Sequence, residues 1–189
     1  LAILGGGLAA LAHSRLAIWP AALLAPAVIL PLGLGASRSR RLVAALLFGS
    51  VGSLGLVSLA WVPALAMALI LAAVLETLVA LTLLAALHRR LPPGVLTLVY
   101  PCVVVAAEFA LAHSPIGTAF SDAYAFHAAL PLLQLAAITG FTGLSFLAAW
   151  TGSVLGLVLW APRGRAWALP VALVVVALLG VMIGGTLAL

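Results

Sequence analysis

Long apolar stretches separated by short polar breaks run the whole length of this chain. Most stretches hold about 20 residues, the length that a helix needs to cross a hydrocarbon core roughly 30 Å thick. Such stretches must be helical, because backbone amides cannot stay unpaired in lipid. Of the 189 residues, 67% are hydrophobic and only 6% are charged, which excludes an ordinary soluble domain. The sequence therefore predicts an all-α fold, a polytopic membrane helix bundle of about seven transmembrane helices.

The predicted boundaries follow the apolar stretches, and residues 1–189 form one transmembrane domain in this interpretation. The spans are expected at about 1–12, 16–34, 42–61, 64–87, 91–111, 140–160 and 167–189, with an outer loop at 113–130. Pro20, Pro26 and Pro31 predict that the second span is kinked or broken. Residues 131–139 are expected to form a short interfacial piece. The chain begins without methionine and ends inside an apolar run, so we expect both ends to be cut from a longer protein.

Arginine indicates which side of the membrane each break faces. Three breaks hold most of the basic residues, namely Arg38 with Arg40 and Arg41, Arg89 with Arg90, and Arg163 with Arg165. Counting the crossings places these breaks on one side, and the positive-inside rule assigns that side to the cytoplasm. Leu189 and the loop around Asp122 are then expected at the outer face. The basic residues are too few to form a nucleic-acid surface, so no nucleic acid is expected as a partner.

Two carboxylates and one thiol lie within the spans. Glu76 is near the middle of the fourth span, where an ionisable group is costly and should face the bundle interior. It either contacts a proton or substrate or is tied to a neighbouring helix. Glu108, near the outer end of the fifth span, either orients a head group or contacts the loop beyond it. Cys102 has apolar surroundings that suppress the thiolate, and we interpret it as a buried structural cysteine.

The outer loop concentrates aromatic and polar side chains. Aromatic residues such as Tyr124 are typical of a membrane interface. Ser121 or Asp122 is placed to cap a short helix whose apolar side would rest on lipid. His113 and His127 lack the paired carboxylates of a metal site, so no metal is predicted. The sequence contains no nucleophile elbow, phosphate-binding glycine loop or zinc motif.

Residues 131–147 read PLLQLAAITGFTGLSFL. This stretch resembles the signature P-L-x-Q-x-A-x-x-T-G-x-x-G-x-S-F-L of bacterial apolipoprotein N-acyltransferases. AAEF at 106–109 resembles the family's A-x-E-[WF], and SPIG at 114–117 followed by DAY at 122–124 is similar to its proline-glycine loop. Residues 125–127 depart from the family's usual serine and glutamine.

The resemblance implies a full enzyme that transfers an acyl chain from a phospholipid to the N-terminal diacylglyceryl-cysteine of a lipoprotein. A nitrilase-like domain on the outer side, with a glutamate, a lysine and a cysteine, would carry out the reaction. This chain has no lysine, so it would hold no catalytic residue and is predicted to be inactive alone. It would anchor the catalytic domain and help form the lipid entry site, with Glu108, Tyr124 and Gln134 as candidate substrate-binding residues. Phospholipid, lipoprotein and membrane lipids are the implied partners, and no cofactor is implied.

Two other interpretations stay open. The chain could be a non-catalytic membrane anchor or partner, for example of a polyprenol-phosphate mannose synthase, which would need no chemistry in the bundle. It could also be a small transporter, a class that usually has duplicated halves and paired broken helices. The sequence has no visible internal repeat, which weakens the transporter interpretation.

Overall fold

The computed structural model describes residues 1–14, 16, 18–57, 62–115, 117–118, 121–160 and 167–187. Over these ranges the protein is helical and has no strand, which confirms the predicted all-α membrane bundle. The sequence predictions for Arg163, Arg165 and Leu189 concern residues outside these ranges. A short 3-10 helix, Asp122–Phe126, lies in the outer loop. The α-helices are α1 (Ala2–Ala12), α2 (Trp19–Ile29), α3 (Pro31–Gly35), α4 (Arg38–Gly52), α5 (Leu54–Val57), α6 (Pro63–Leu87), α7 (Pro93–Leu96), α8 (Val99–Ala112), α9 (Leu130–Trp160) and α10 (Ala168–Leu187).

Four helical segments in the described part of the chain are long and apolar enough to cross a membrane. They are Pro63–Leu87, Pro93–Ala112, Leu130–Trp160 and Ala168–Leu187. Shorter apolar helices occupy Ala2–Ala12 and Trp19–Gly35, and α4 with α5 takes the place of the third predicted span. The protein is therefore embedded in a membrane.

Proline and glycine set the points where the helical segments bend. α2 ends at Ile29 and α3 begins at Pro31, because a proline lacks the N–H and its ring clashes with the preceding turn. The break falls where the prolines of the second span predict it. Within α9, Gly140 has φ 72° and ψ −179°, a backbone conformation that side chains with a Cβ rarely adopt. The bend lies where the interfacial piece was predicted to end.

Glycines let the central helices approach each other closely. A Cβ added to Gly49 on α4 would lie 2.6 Å from the backbone nitrogen of Val74 on α6. One added to Gly152 on α9 would lie 2.7 Å from the carbonyl oxygen of Leu23 on α2. Small residues at helix crossings allow such packing. Aliphatic side chains with 0% exposure fill the core between these helices, namely Ile29, Leu30, Leu81, Leu84, Val104 and Leu157.

The packing of α3 against α6 brings two arginine breaks to one end of the bundle. A Cβ on Gly33 would lie 3.0 Å from Cβ of Leu84, near the end of α6. The chain after Gly33 leads to Arg38, and the chain after Leu84 leads to Arg89. The opposite end holds the outer loop, where the polar contacts of the bundle concentrate.

Candidate functional site

One carboxylate oxygen of Glu108 joins the outer loop to two helices. Glu108 lies on α8 and is 7% exposed. Its Oε1 accepts hydrogen bonds from Ser121 Oγ at 2.7 Å, from the Asp122 backbone N–H at 2.7 Å and from Ser145 Oγ at 2.8 Å. Ser145 lies on α9 and is 1% exposed. We call Glu108, Ser121, Asp122 and Ser145 the outer cluster.

Glu108 differs from a side chain that only links a helix to a loop, because its second carboxylate oxygen, Oε2, is not used in these hydrogen bonds. Oε2 is buried and makes no hydrogen bond to the residues that the structure describes. Burying a carboxylate is costly, and hydrogen bonds to the charged form offset that cost. Three donors on a single oxygen fix the position and orientation of the carboxylate. The resulting geometry binds the loop firmly, with the hydroxyls of Ser121 and Ser145 acting as hydrogen-bond donors to the carboxylate.

The short 3-10 helix after Ser121 packs into the bundle. Ser121 caps it, because its Oγ accepts a hydrogen bond from the backbone N–H of Ala123 at 3.2 Å. Phe126 is 1% exposed and its ring lies 6.4 Å from that of Trp19 on α2. The expectation that this helix rests its apolar side on lipid is wrong. Its apolar residues fill a gap between α2 and α9 instead.

His13, at the end of α1, forms an ion pair with the outer loop. Its Nε2 lies 3.0 Å from Asp122 Oδ1, and its Nδ1 lies 2.9 Å from the carbonyl oxygen of Ala9. Both nitrogens therefore face acceptors, which favours the doubly protonated ring. Burial lowers the pKa of His13, but the Asp122 carboxylate, the Ala9 carbonyl and the charge of Glu108 outweigh that effect and raise it above 6.5.

The three candidate substrate-binding residues do not form one cluster. Glu108 is buried in the outer cluster. Tyr124 is 55% exposed on the 3-10 helix, and Gln134 is half-buried on the outer part of α9. No hydrogen bond between described residues joins the side chain of Tyr124 or Gln134 to Glu108. Their assignment as substrate-binding residues stays a prediction.

Glu76 faces the inside of the bundle, as expected. It is half-buried on α6 and borders a cavity of about 100 Å³. His13, Tyr100 and Asp122 also line that cavity. Thr77 beside it bonds the carbonyl oxygen of Ala73 on its own helix at 2.8 Å. The middle of the bundle therefore holds a small cavity beneath the outer loop, whose mostly apolar wall includes a few polar and ionisable side chains.

An apolar groove of about 940 Å³ lies along α6 and α8. It extends from Leu87 and Leu91, near the arginine breaks, to Leu111 and Asp122 at the outer loop. Cys102 lines this groove and is exposed, so the prediction of a buried thiol is wrong. The residue lies on the face of α8 that α6 leaves uncovered.

Sequence reasoning missed His13 and Ser145 as members of the site, whereas it named Ser121 as a candidate cap of the short helix, which the structure confirms. The signal for Ser145 was its place in the motif of residues 131–147, whereas His13 carried no motif. His113 and His127 each direct Nδ1 to a carbonyl oxygen of their own helical turn, at 2.8 and 3.0 Å. Among the described residues no group of three or more metal-ligating side chains occurs.

The fold and the outer cluster define a helical membrane domain whose outer loop is held by a buried carboxylate. The family model described as apolipoprotein N-acyltransferase N-terminal domain matches residues 5–154, and the chain belongs to this family. The match extends from α1 into α9 and includes the whole outer cluster, so the suspected family is confirmed. A comparison of the sequence with curated proteins gave no match.

Proposed function

We propose that this chain is the membrane domain of an apolipoprotein N-acyltransferase. In that role the enzyme transfers an acyl chain from a phospholipid to the N-terminal diacylglyceryl-cysteine of a lipoprotein. The chain anchors the catalytic domain at the outer face of a bacterial cytoplasmic membrane and helps to form the lipid entry site. The family match over residues 5–154 carries the proposal.

The geometry of the outer loop supports an anchoring role. The loop is tied to α8 and α9 through Glu108 and to α1 through His13. A loop held from three helices provides a fixed surface on which another domain can rest. Preorganised surfaces of this kind lose little conformational entropy on binding.

In this proposal the chain positions the catalytic domain and the lipid substrates, and it supplies no catalytic residue. A thiol nucleophile needs a base or a cation in contact, and the thiol of Cys102 has no hydrogen-bond partner among the described residues. This observation supports the proposal that a nitrilase-like domain, as the family resemblance implies, carries out the acyl-enzyme chemistry. The apolar groove between α6 and α8 opens along the bundle and supports lateral access for lipid chains.

Lipoprotein acylation in cells tests the proposal. The intact protein encoded by the gene would be expressed in a bacterium depleted of its own apolipoprotein N-acyltransferase. Mass spectrometry of a reporter lipoprotein would then count its acyl chains. We expect a shift from two acyl chains to three, and a two-chain product at normal expression would overturn the proposal. A membrane anchor for another enzyme, or a transporter, would give that two-chain product.

A further inference from the structure

The arginines of α4 and those after α6 lie at the same end of the bundle, which we call the arginine end. Helix α4 begins with Arg38, Arg40 and Arg41, and the last turn of α6 is followed by Arg89 and Arg90. The two helices cross where Gly49 meets Val74. From that crossing α4 extends roughly 16 Å to Arg38 and α6 extends roughly 20 Å to Leu87, at 1.5 Å per residue. The two sets of arginines therefore reach a similar depth.

The acidic residues of the chain all lie away from the arginine end. The sequence has only three of them. Glu108 and Asp122 belong to the outer cluster, and Glu76 lies roughly 16 Å before the end of α6. Among the described residues no arginine side chain forms an ion pair, and only that of Arg41 donates a hydrogen bond, to the carbonyl oxygen of Ala36 at 2.8 Å. Because arginine is always charged, these side chains need anions from outside the chain.

The arginine end borders a surface that faces lipid. The four described arginines other than Arg41 are exposed. On α4, Arg40 lies on the same helix face as Val43 and Leu47, because the three follow the helical repeat. Both aliphatic side chains are exposed, and the protein is embedded in a membrane. An acyl chain along this face of α4 brings the phosphate of its lipid to Arg40.

We propose that the arginine end binds an anionic phospholipid such as phosphatidylglycerol. The guanidinium groups of both sets bind the phosphate, because the planar guanidinium matches its geometry. The acyl chains lie against the exposed face of α4. Each arginine near the membrane surface should strengthen binding of an anionic lipid about fivefold. This site lies at the opposite end of the bundle from the outer cluster, so it goes beyond the proposed acyl transfer.

Binding to the intact protein in neutral maltoside micelles tests the proposal. Two fluorescent phospholipids with the same acyl chains are compared, phosphatidylglycerol and phosphatidylcholine, which share the phosphate but differ in net charge. We expect phosphatidylglycerol to bind at least about tenfold more tightly, and the preference to weaken as salt is added. Excess inorganic phosphate should not displace it. Equal affinities of the two lipids would overturn the proposal, and displacement by phosphate would indicate a site for soluble anions instead.

Substitutions then locate the head group of the lipid. Arg38→Gln combined with Arg40→Gln should lower the affinity for phosphatidylglycerol about tenfold or more, and so should Arg89→Gln combined with Arg90→Gln. Arg38→Lys combined with Arg40→Lys is the matched control, which keeps both charges and should stay within about threefold of wild type. Full binding in both glutamine pairs would place the lipid elsewhere, and an equal loss in the lysine pair would contradict a site based on charge. Because no acyl transfer is measured and the outer cluster is unchanged, the result is independent of the proposed function.

Discussion

Ser145 on α9 donates a 2.8 Å hydrogen bond to the carboxylate of Glu108 on α8, across 37 residues of sequence. Ser121 and the backbone of Asp122 bind the same oxygen from the loop side. A single acceptor thus fixes the outer ends of two spans and the start of the 3-10 helix relative to one another. Changes at this oxygen should alter the loop more than the helices, whose cores lie deeper in the bundle.

Glu108→Gln should lower kcat/KM of the intact enzyme about ten- to a hundredfold. The substitution replaces hydrogen bonds to a charged group, each worth roughly 1.5 to 3 kcal/mol, with weaker neutral ones. The amide is nearly isosteric, so we expect normal membrane insertion. Acylation kinetics at several phospholipid concentrations provide the measurement. Thr186→Val, at an exposed threonine that bonds only Ile183 of its own helix, is the control. An unchanged kcat/KM for Glu108→Gln would show that Glu108 only ties the loop.

Gln134→Ala separates substrate binding from loop attachment. Gln134 is half-buried and lies outside the outer cluster, so its loss should change the free energy of unfolding by no more than about 0.5 kcal/mol. If Gln134 contacts substrate, kcat/KM should nevertheless fall about tenfold or more. Thermal unfolding and acylation kinetics of the same preparation distinguish the two effects. Normal kinetics would remove Gln134 from the substrate-binding residues.

Stability should fall as pH rises above about 6.5, through a contribution from His13. Its pKa is raised in the folded protein, so between 6.5 and the raised value the folded state binds more protons than the unfolded state. The stabilisation is fully present below pH 6.5 and disappears as pH rises through the folded pKa. Unfolding of wild type and His13→Gln in detergent, compared from pH 5 to 9, isolates this effect. Asp122→Asn should remove the same pH dependence, and parallel curves for wild type and both variants would exclude the ion pair as its source.

Cysteine labelling tests the orientation of the bundle. In a Cys102→Ala background, single cysteines at Arg40, Arg89 and Arg163 should be protected from an impermeant thiol reagent in intact cells. A cysteine at Thr118 should be labelled under the same conditions, because the outer loop faces away from the arginine breaks. Permeabilised cells, in which all four sites should react, provide the control. Labelling at Arg89 in intact cells would reverse the predicted orientation.

Cys102→Ala should leave acyl transfer by the intact enzyme within about twofold of wild type. The thiol lies on the lipid-facing groove, and no hydrogen-bonded base accompanies it among the described residues. The chain alone should form no acyl-enzyme thioester, which mass spectrometry of the purified chain detects. A thioester on Cys102 would place the nucleophile within the bundle and contradict our proposal.

The sequence predicted the helical membrane class well, because the length of an apolar stretch is a local property that the bilayer imposes. It also predicted the break near Pro31 and the interior position of Glu76. Only some of the hydrogen-bond partners of Glu108 could be predicted from the sequence. A contact with the outer loop was among the predictions, but Ser145 lies 37 residues away and only packing brings it to Glu108. His13 was missed because an ion pair between the end of α1 and the loop leaves no pattern in a single sequence. The exposure of Cys102 depends on how far α6 and α8 separate, which hydropathy does not encode.

The bend at Gly140 determines the length of α9 that has to match the thickness of the hydrocarbon core. As a continuous helix its 31 residues would extend about 46 Å, which would require strong tilt or a thickened bilayer. With the backbone turned at Gly140, Phe141 to Trp160 extend roughly 30 Å, close to the thickness of an ordinary hydrocarbon core. The preceding segment, including Ile138 at 87% exposure, is then free to lie along the interface. The backbone conformation of Gly140 thus removes a hydrophobic mismatch. We expect Gly140→Ala to restore this mismatch and to reduce stable insertion into the membrane.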